Sequence, residues 1–266
     1  MTTPWTLTLS SALIGLAVLL AAIATSLDAE ASAWLHRIAL KSTSSDNPNA
    51  AVVHVESVVS SRNANRKADR SRHLVIFFHG IGARGPQMRG LGGSWKSTLP
   101  NTVFAYPDAP FPTRSGGRQW FAVDNDVMRP ERIAAARRAF DDLVSEIVER
   151  QGFENDLKNV AFVAVSQGAI MALDGVASGR WKVGALVSFA GLLPLPPTST
   201  YNGTPILLMH GGADRTIPRA AAVAALRQLK AVGFDVTFRL FPEVGHTISA
   251  EEAKEAAEFL RDRFSR

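Results

Sequence analysis

The chain reads as an α/β protein: a mostly parallel central sheet with helices on both faces. Two observations carry that reading. Short apolar runs alternate with segments of helical period over some two hundred residues. Several of those runs are continuously apolar rather than alternating, the pattern of central strands covered on both sides. The first run, Val52-Val53-His54-Val55-Glu56-Ser57-Val58-Val59, is β-branched and marks where the folded domain begins. Further strands are predicted at 74–78, 102–106, 160–165, 185–189, 206–209 and 236–241. Between them, Pro130 suits a first helical position, and Ile133, Ala136, Phe140, Leu143, Val144 and Ile147 then form one apolar stripe closed by Gly152. Pro218 opens a second helix that runs through Leu226 and Leu229 to Gly233. Ser249 and Glu252 have the spacing of a capping box, and the helix they start is expected to bury Ala256, Phe259 and Leu260.

With 266 residues and 46% hydrophobic side chains, the chain has enough apolar surface for a substantial core. The absence of cysteine excludes a disulfide framework and a thiolate zinc site. No His, Asp or Glu cluster has metal-ligand spacing, so no metal is expected. The net charge is +5, and much of the excess lies in Arg62, Arg66, Lys67, Arg70 and Arg72. No aromatic residues interleave with these cations, so the run reads as a solvated connector and not as a nucleic-acid surface.

The N-terminus reads as a separate segment. Residues 12–24 are almost purely apolar, a length suited to the core of a secretory signal peptide. Widened to residues 7–27, the stretch is long enough to cross a bilayer. Ala29-Glu30-Ala31 offers a small-x-small cleavage site. No Lys or Arg precedes the apolar core, whereas Arg37 and Lys41 follow it, which for an uncleaved anchor favours a cytoplasmic C-terminal side. The organisation read from these signals is a signal peptide or membrane anchor at 1–31, a linker at 32–51 that is Ser-, Thr- and Asn-rich between Lys41 and Ala51, and a catalytic domain at 52–266. The expected location is exported, periplasmic or membrane-anchored, with membrane association through the N-terminal segment.

The chemistry is signalled by Val163-Ala164-Val165-Ser166-Gln167-Gly168-Ala169, where an apolar run stops at a serine flanked by small residues and a helix-compatible segment follows. Such a strand-to-helix turn lifts a hydroxyl clear of a sheet, and its tightness requires small residues two positions either side. A free serine is a poor nucleophile and needs a base. His246, after a strand in Gly245-His246-Thr247, is the candidate. Asp214, in the loop after the 206–209 run, is the candidate to orient it, although loop aspartates near helix starts commonly serve as caps or Asx turns. Asp174 and Asp235 are rivals, but neither follows the end of a strand. Phe77-Phe78-His79-Gly80-Ile81-Gly82-Ala83 leaves a strand into a glycine-rich turn, where the amide of Ile81 can pair with that of Gln167 to form an oxyanion site. That loop lacks both the Gly-Lys-Ser/Thr ending of a P-loop and the dinucleotide spacing. His79 and His210 read as structural, bonding loop backbone.

Phe78-His79-Gly80-Ile81-Gly82, Pro107-Asp108-Ala109-Pro110, Trp120-Phe121, Val165-Ser166-Gln167-Gly168, His210-Gly211-Gly212-Ala213-Asp214-Arg215-Thr216-Ile217-Pro218 and Gly245-His246 occur in this order. From about Leu74 onward the chain thereby resembles the phospholipase/carboxylesterase family of α/β-hydrolases, which includes the acyl-protein thioesterases. The resemblance implies a cofactor-free α/β-hydrolase fold acting on small-molecule carboxylic esters or thioesters. It implies Ser166, Asp214 and His246 as catalytic residues, Ile81 and Gln167 as oxyanion donors, and a loop at 108–121, with Trp120 and Phe121, over the acyl-binding site. Ala164 departs from the first glycine of G-x-S-x-G but is small enough for the turn. The cationic loop at 111–119 is unlike a lid for long acyl chains and favours short or anionic esters. The function expected is a serine carboxylesterase for small or medium acyl groups. A thioesterase or lysophospholipase is the alternative within the class, and a non-catalytic membrane-tethered binding protein the alternative outside it.

Overall fold

The structure, a computed structural model, describes residues 52–58, 73–123, 129–201 and 203–265. The N-terminal segment at 1–31, the linker at 32–51 and the basic run at 62–72 lie outside the described residues. Among the described residues no helix is long and apolar enough to cross a membrane.

In chain order the strands are β1 (Val53–Val58), β2 (His73–Phe78), β3 (Thr102–Pro107), β4 (Phe111–Pro112), β5 (Arg118–Gln119), β6 (Val160–Val165), β7 (Ala185–Phe189), β8 (Ile206–Gly211) and β9 (Val236–Phe241). The short β4 and β5 pair antiparallel as a separate ribbon. The others form one sheet in the order β1-β3-β2-β6-β7-β8-β9. Only β1 runs antiparallel to its neighbour; the remaining pairings are parallel. Every strand predicted from an apolar run is present, with ends displaced by at most two residues.

Alternation within the strands builds two cores. Leu74, Ile76, Phe78 and Phe162 face one side, where they meet α2 (Pro130–Gln151), α3 (Gln167–Ala177) and α4 (Arg219–Ala231). Val75, Phe77 and Val163 face the other, under α5 (Ala250–Phe264) and the segment around α1 (Arg89–Ser94). Both faces are thus covered, which is why these strands lack polar alternation. The stripe of α2 is buried as expected, and Gly152 ends the helix in the left-handed region at φ 73. In α5 the capping box forms: the Glu252 amide donates to Ser249 Oγ at 3.2 Å, and the Ser249 amide to Glu252 Oε2 at 2.7 Å. Phe259 is only half-buried there, with the Arg263 guanidinium 4.9 Å from its ring centre, and Ala257 takes the buried position instead. Asp174 is buried on α3 and binds Arg137 of α2 at 2.8 and 2.9 Å and Arg180 at 3.0 Å, joining the two helices.

The chain order carries the strand after β2 to one side, to β3, and then returns across to β6. Such a reversal opens a crevice at the C-terminal ends of the two strands that flank it. Here β2 and β6 are those strands, and the turn after β2 lies beside Ser166 after β6. Helix α3 comes close to this junction because residue 168 is glycine: a Cβ there would sit 2.4 Å from the Phe78 oxygen and 2.7 Å from the His79 oxygen. Gly168→Ala is therefore expected to destabilise the domain by roughly 1–3 kcal/mol, the usual cost of overpacking. A urea or thermal unfolding midpoint equal to that of the wild type would contradict this.

Candidate active site

Ser166 sits at the turn from β6 into α3 with φ 52 and ψ −117, a left-handed backbone that a side-chain-bearing residue adopts only under strain. The surrounding structure holds it there. Its amide donates to the Phe189 oxygen at 3.0 Å, and its carbonyl accepts from the Ile170 amide at 3.1 Å. Ala164, in place of the usual glycine, is fully buried beside Phe78 of β2 without distorting the register.

Asp214 follows β8, and its carboxylate is buried. Oδ1 accepts the amides of Thr216 at 2.8 Å and Ile217 at 3.0 Å, while Oδ2 lies 2.7 Å from His246 Nδ1. One oxygen of this aspartate closes an Asx-type turn, and the other lies within hydrogen-bond reach of a histidine. Because a carboxylate only accepts, His246 Nδ1 carries the proton. Nε2 is left as the acceptor for the Ser166 hydroxyl, 3.0 Å away. Burial pushes the Asp214 carboxyl up. The hydrogen bond from His246, the two loop amides and the charge attraction of His246 outweigh it and hold the group below the usual carboxylate value.

The aspartate and histidine loops meet because of two glycines. A Cβ on Gly211 would lie 2.1 Å from the Val244 oxygen, and one on Gly212 would lie 2.7 Å from Pro242 backbone. The amides of Gly212 and Ala213 bond the Phe241 and Val244 oxygens at 2.7 and 3.0 Å across this contact. His210 braces the same loop, donating from Nε2 to the Ile217 oxygen at 2.8 Å, with Asp214 Oδ2 3.6 Å away.

On the other side of Ser166 stands the turn after β2. The backbone N–H groups of Ile81 and Gln167 make no hydrogen bond to protein among the described residues, and both residues border the cleft that contains Ser166. Three hydrogen bonds, two of them fully buried, position this turn. Ala109 N donates to His79 Nε2 at 3.0 Å, His79 Nδ1 donates to the Gly80 oxygen at 2.7 Å, and Trp120 Nε1 donates to the His79 oxygen at 2.8 Å. His79 is thus a bracing residue, as its place in the sequence suggested. The Gln167 side chain accepts the Trp120 amide and donates to the Phe121 oxygen, both at 2.7 Å.

The cleft, of about 620 Å³, is walled by Phe121, Val123, Ile170, Leu192, Ile217 and Pro218. Phe121 borders it. Trp120 does not: it is 1% exposed and packs beneath, against Phe78 and Phe140. Arg118 of the cationic loop also turns inward, 3.9 Å from the buried Asp108, which Arg84 contacts at 3.1 Å. A second concavity of about 570 Å³ surrounds His73, Thr102 and Phe264. It lies at the N-terminal ends of β2 and β3, away from the crevice end where open α/β sheets bind ligands.

Residues 60–263 match the model of the family described as Phospholipase/Carboxylesterase. The chain belongs to the phospholipase/carboxylesterase family. It is 29% identical over 194 residues to esterase YpfH of Escherichia coli (strain K12), covering 72% of this chain and 83% of that protein. Carboxylesterase SOBER1 of Arabidopsis thaliana is 28% identical over 208 residues, covering 73% and 91%. The fold is similar to the crystal structure of esterase PE8, with a TM-score of 0.69 and 26% identity over 80% of this chain and 98% of that one.

Within this family member, sequence reasoning passed over Gly211, Gly212 and Arg215. The two glycines stood beside the singled-out Asp214, but the demand on them comes from the backbone of Pro242 and Val244, far downstream, and has no local signature. Arg215 lines the cleft beside Ser166 and was read only as part of the motif.

Burial holds the His79 ring below the ordinary histidine value, partly offset by its bond to the Gly80 oxygen. The native ring stays neutral while the unfolded chain takes up a proton below about pH 6.5. Its stabilising contribution is therefore full above that pH and is lost as pH falls towards the lowered native value. Burial lowers His73 in the same sense. Urea unfolding between about pH 8 and about pH 5 should show stability falling on the acid side, with a shallower fall in His79→Gln. An identical slope in the variant would contradict this account.

Proposed function

We propose that this chain is a serine carboxylesterase that hydrolyses carboxylic esters of small or medium acyl groups through an acyl-enzyme intermediate. The single observation that carries the reading is the continuous relay from Asp214 Oδ2 through His246 to Ser166 Oγ, with spacings of 2.7 and 3.0 Å. Family membership and the esterase names of the relatives support the ester as substrate.

In the proposed reaction Ser166 Oγ attacks the ester carbonyl as its proton passes to His246 Nε2. Asp214 stabilises the imidazolium that results. The carbonyl oxygen, now negative, takes hydrogen bonds from the amides of Ile81 and Gln167. Each such preorganised donor contributes roughly 3 kcal/mol to transition-state stabilisation. The intermediate collapses, the C–O bond to the alcohol breaks, and His246 Nε2 returns the proton to the leaving oxygen. Water then attacks the acyl-enzyme with His246 as base, releasing the carboxylic acid and restoring the Ser166 hydroxyl. The strained backbone at Ser166 fits this role, since it keeps the hydroxyl directed away from its own helix.

A fluorophosphonate probe is expected to label the wild type and not Ser166→Ala, and that substitution should lower kcat by roughly a millionfold. Asp214→Asn, which disrupts the histidine tautomer, should cost about 10⁴-fold. An unlabelled, folded wild type would instead favour a binding protein that keeps the fold. Across nitrophenyl esters of C2 to C16 acids, kcat/KM should peak at short or medium chains, because the cleft is a bounded volume. A maximum at C12 or beyond would contradict the proposed acyl range.

A further inference from the structure

We propose that Arg215 selects esters bearing a carboxylate, so that the cleft accepts monoanionic substrates in preference to neutral ones. This deepens the esterase reading and rests on it. Arg215 is the only ionisable side chain among the described residues that line the cleft, and it stands among Phe121, Ile170, Leu192, Ile217 and Pro218. Arg84 and Arg118, beside the turn and loop next to the site, are already engaged on Asp108. Arg215 makes no ion pair or side-chain hydrogen bond among the described residues.

The physical consequence is a permanent positive charge facing a partly apolar cavity. A guanidinium is weakly hydrated and presents a planar fork that matches a carboxylate. The base of the side chain is rigid as well. Asp214 Oδ1 accepts the amides of the next two residues, Thr216 and Ile217, so the backbone that carries Arg215 is locked. A backbone fixed before the ligand arrives leaves only the exposed side chain to be ordered on binding. One guanidinium balances one negative charge; a phosphate dianion would remain half-neutralised between apolar walls, so the fit is to a carboxylate. The cationic loop at 111–119 contributes less than its composition suggested, because Arg118 is spent on Asp108.

The test uses the full chain and two pairs of esters, each matching an anion to a neutral compound of the same shape. In the first pair the acyl group varies: para-nitrophenyl hemiglutarate against the analogue with isopropyl in place of the carboxylate. In the second the alcohol varies: meta-carboxyphenyl acetate against meta-isopropylphenyl acetate. The readout is the ratio of kcat/KM, anionic over neutral, in wild type, Arg215→Gln and Arg215→Lys. In wild type the ratio should exceed one in at least one pair, identifying the side of the ester that carries the charge, and should fall as salt is added. Arg215→Gln should lower that ratio about 10–100-fold, the equivalent of one charge-assisted hydrogen-bonded pair. Arg215→Lys should retain part of the preference, separating charge from a folding defect. A ratio unchanged by Arg215→Gln, or a wild type that prefers the neutral member of both pairs, overturns the inference and leaves the esterase reading standing. A wild type that cleaves none of the four overturns both.

Discussion

The hydrogen bond between the Asp214 carboxylate and the His246 ring is the constraint around which this end of the molecule is arranged. A carboxylate buried from water is unfavourable unless its oxygens are fully bonded. Here one oxygen takes two loop amides, the other takes the imidazole, and the net balance keeps the group ionised. That arrangement selects which nitrogen of His246 bears the proton, and so fixes the free lone pair facing Ser166. The aspartate and histidine loops must lie almost backbone on backbone for the bond to form. Glycines at 211 and 212 make that approach sterically allowed.

The second constraint is strain. A side-chain-bearing residue at φ 52 costs on the order of 1–3 kcal/mol, which the domain offsets with packing elsewhere. The offset is visible on both sides of the serine. Helix α3 is buried along its length, and β6 is covered on both faces at the centre of the sheet. The strained residue is thus anchored between two deeply buried elements, where local unfolding to relieve it would expose much of the core.

The strands were legible because burial on both faces leaves long apolar runs, and the helices because Pro130, Gly152, Ser249 and Glu252 mark their ends. The order of Ser166, Asp214 and His246 was legible for a similar reason: each follows a strand, so parallel strands bring all three to one edge. Other features were hidden. Helix α1 is rich in glycine, and Gly92 is there because a Cβ would strike the Tyr106 hydroxyl, a tertiary fact. The ribbon of β4 and β5 is too short to show alternation. Trp120 was grouped with Phe121 by adjacency, yet at the bend they occupy Phe121 borders the cleft while Trp120 packs beneath, against Phe78 and Phe140.

The ribbon of β4 and β5 is fastened to the turn that carries Ile81 by two backbone bonds, Gly82 N to Arg118 O at 2.8 Å and Arg118 N to Ala83 O at 3.0 Å. A Cβ on Gly117 would lie 1.9 Å from the Gly82 oxygen, so the two segments touch without side chains between them. The ribbon and the Ile81 amide therefore form one mechanical piece. Insertions or changes of sequence at the exposed tip, between Thr113 and Gly116, can alter what the ribbon presents to solvent without disturbing that piece. Divergence among descendants of this chain should accordingly concentrate at the tip, while the stem at 117–118 stays unchanged for reasons of chemistry it does not itself perform.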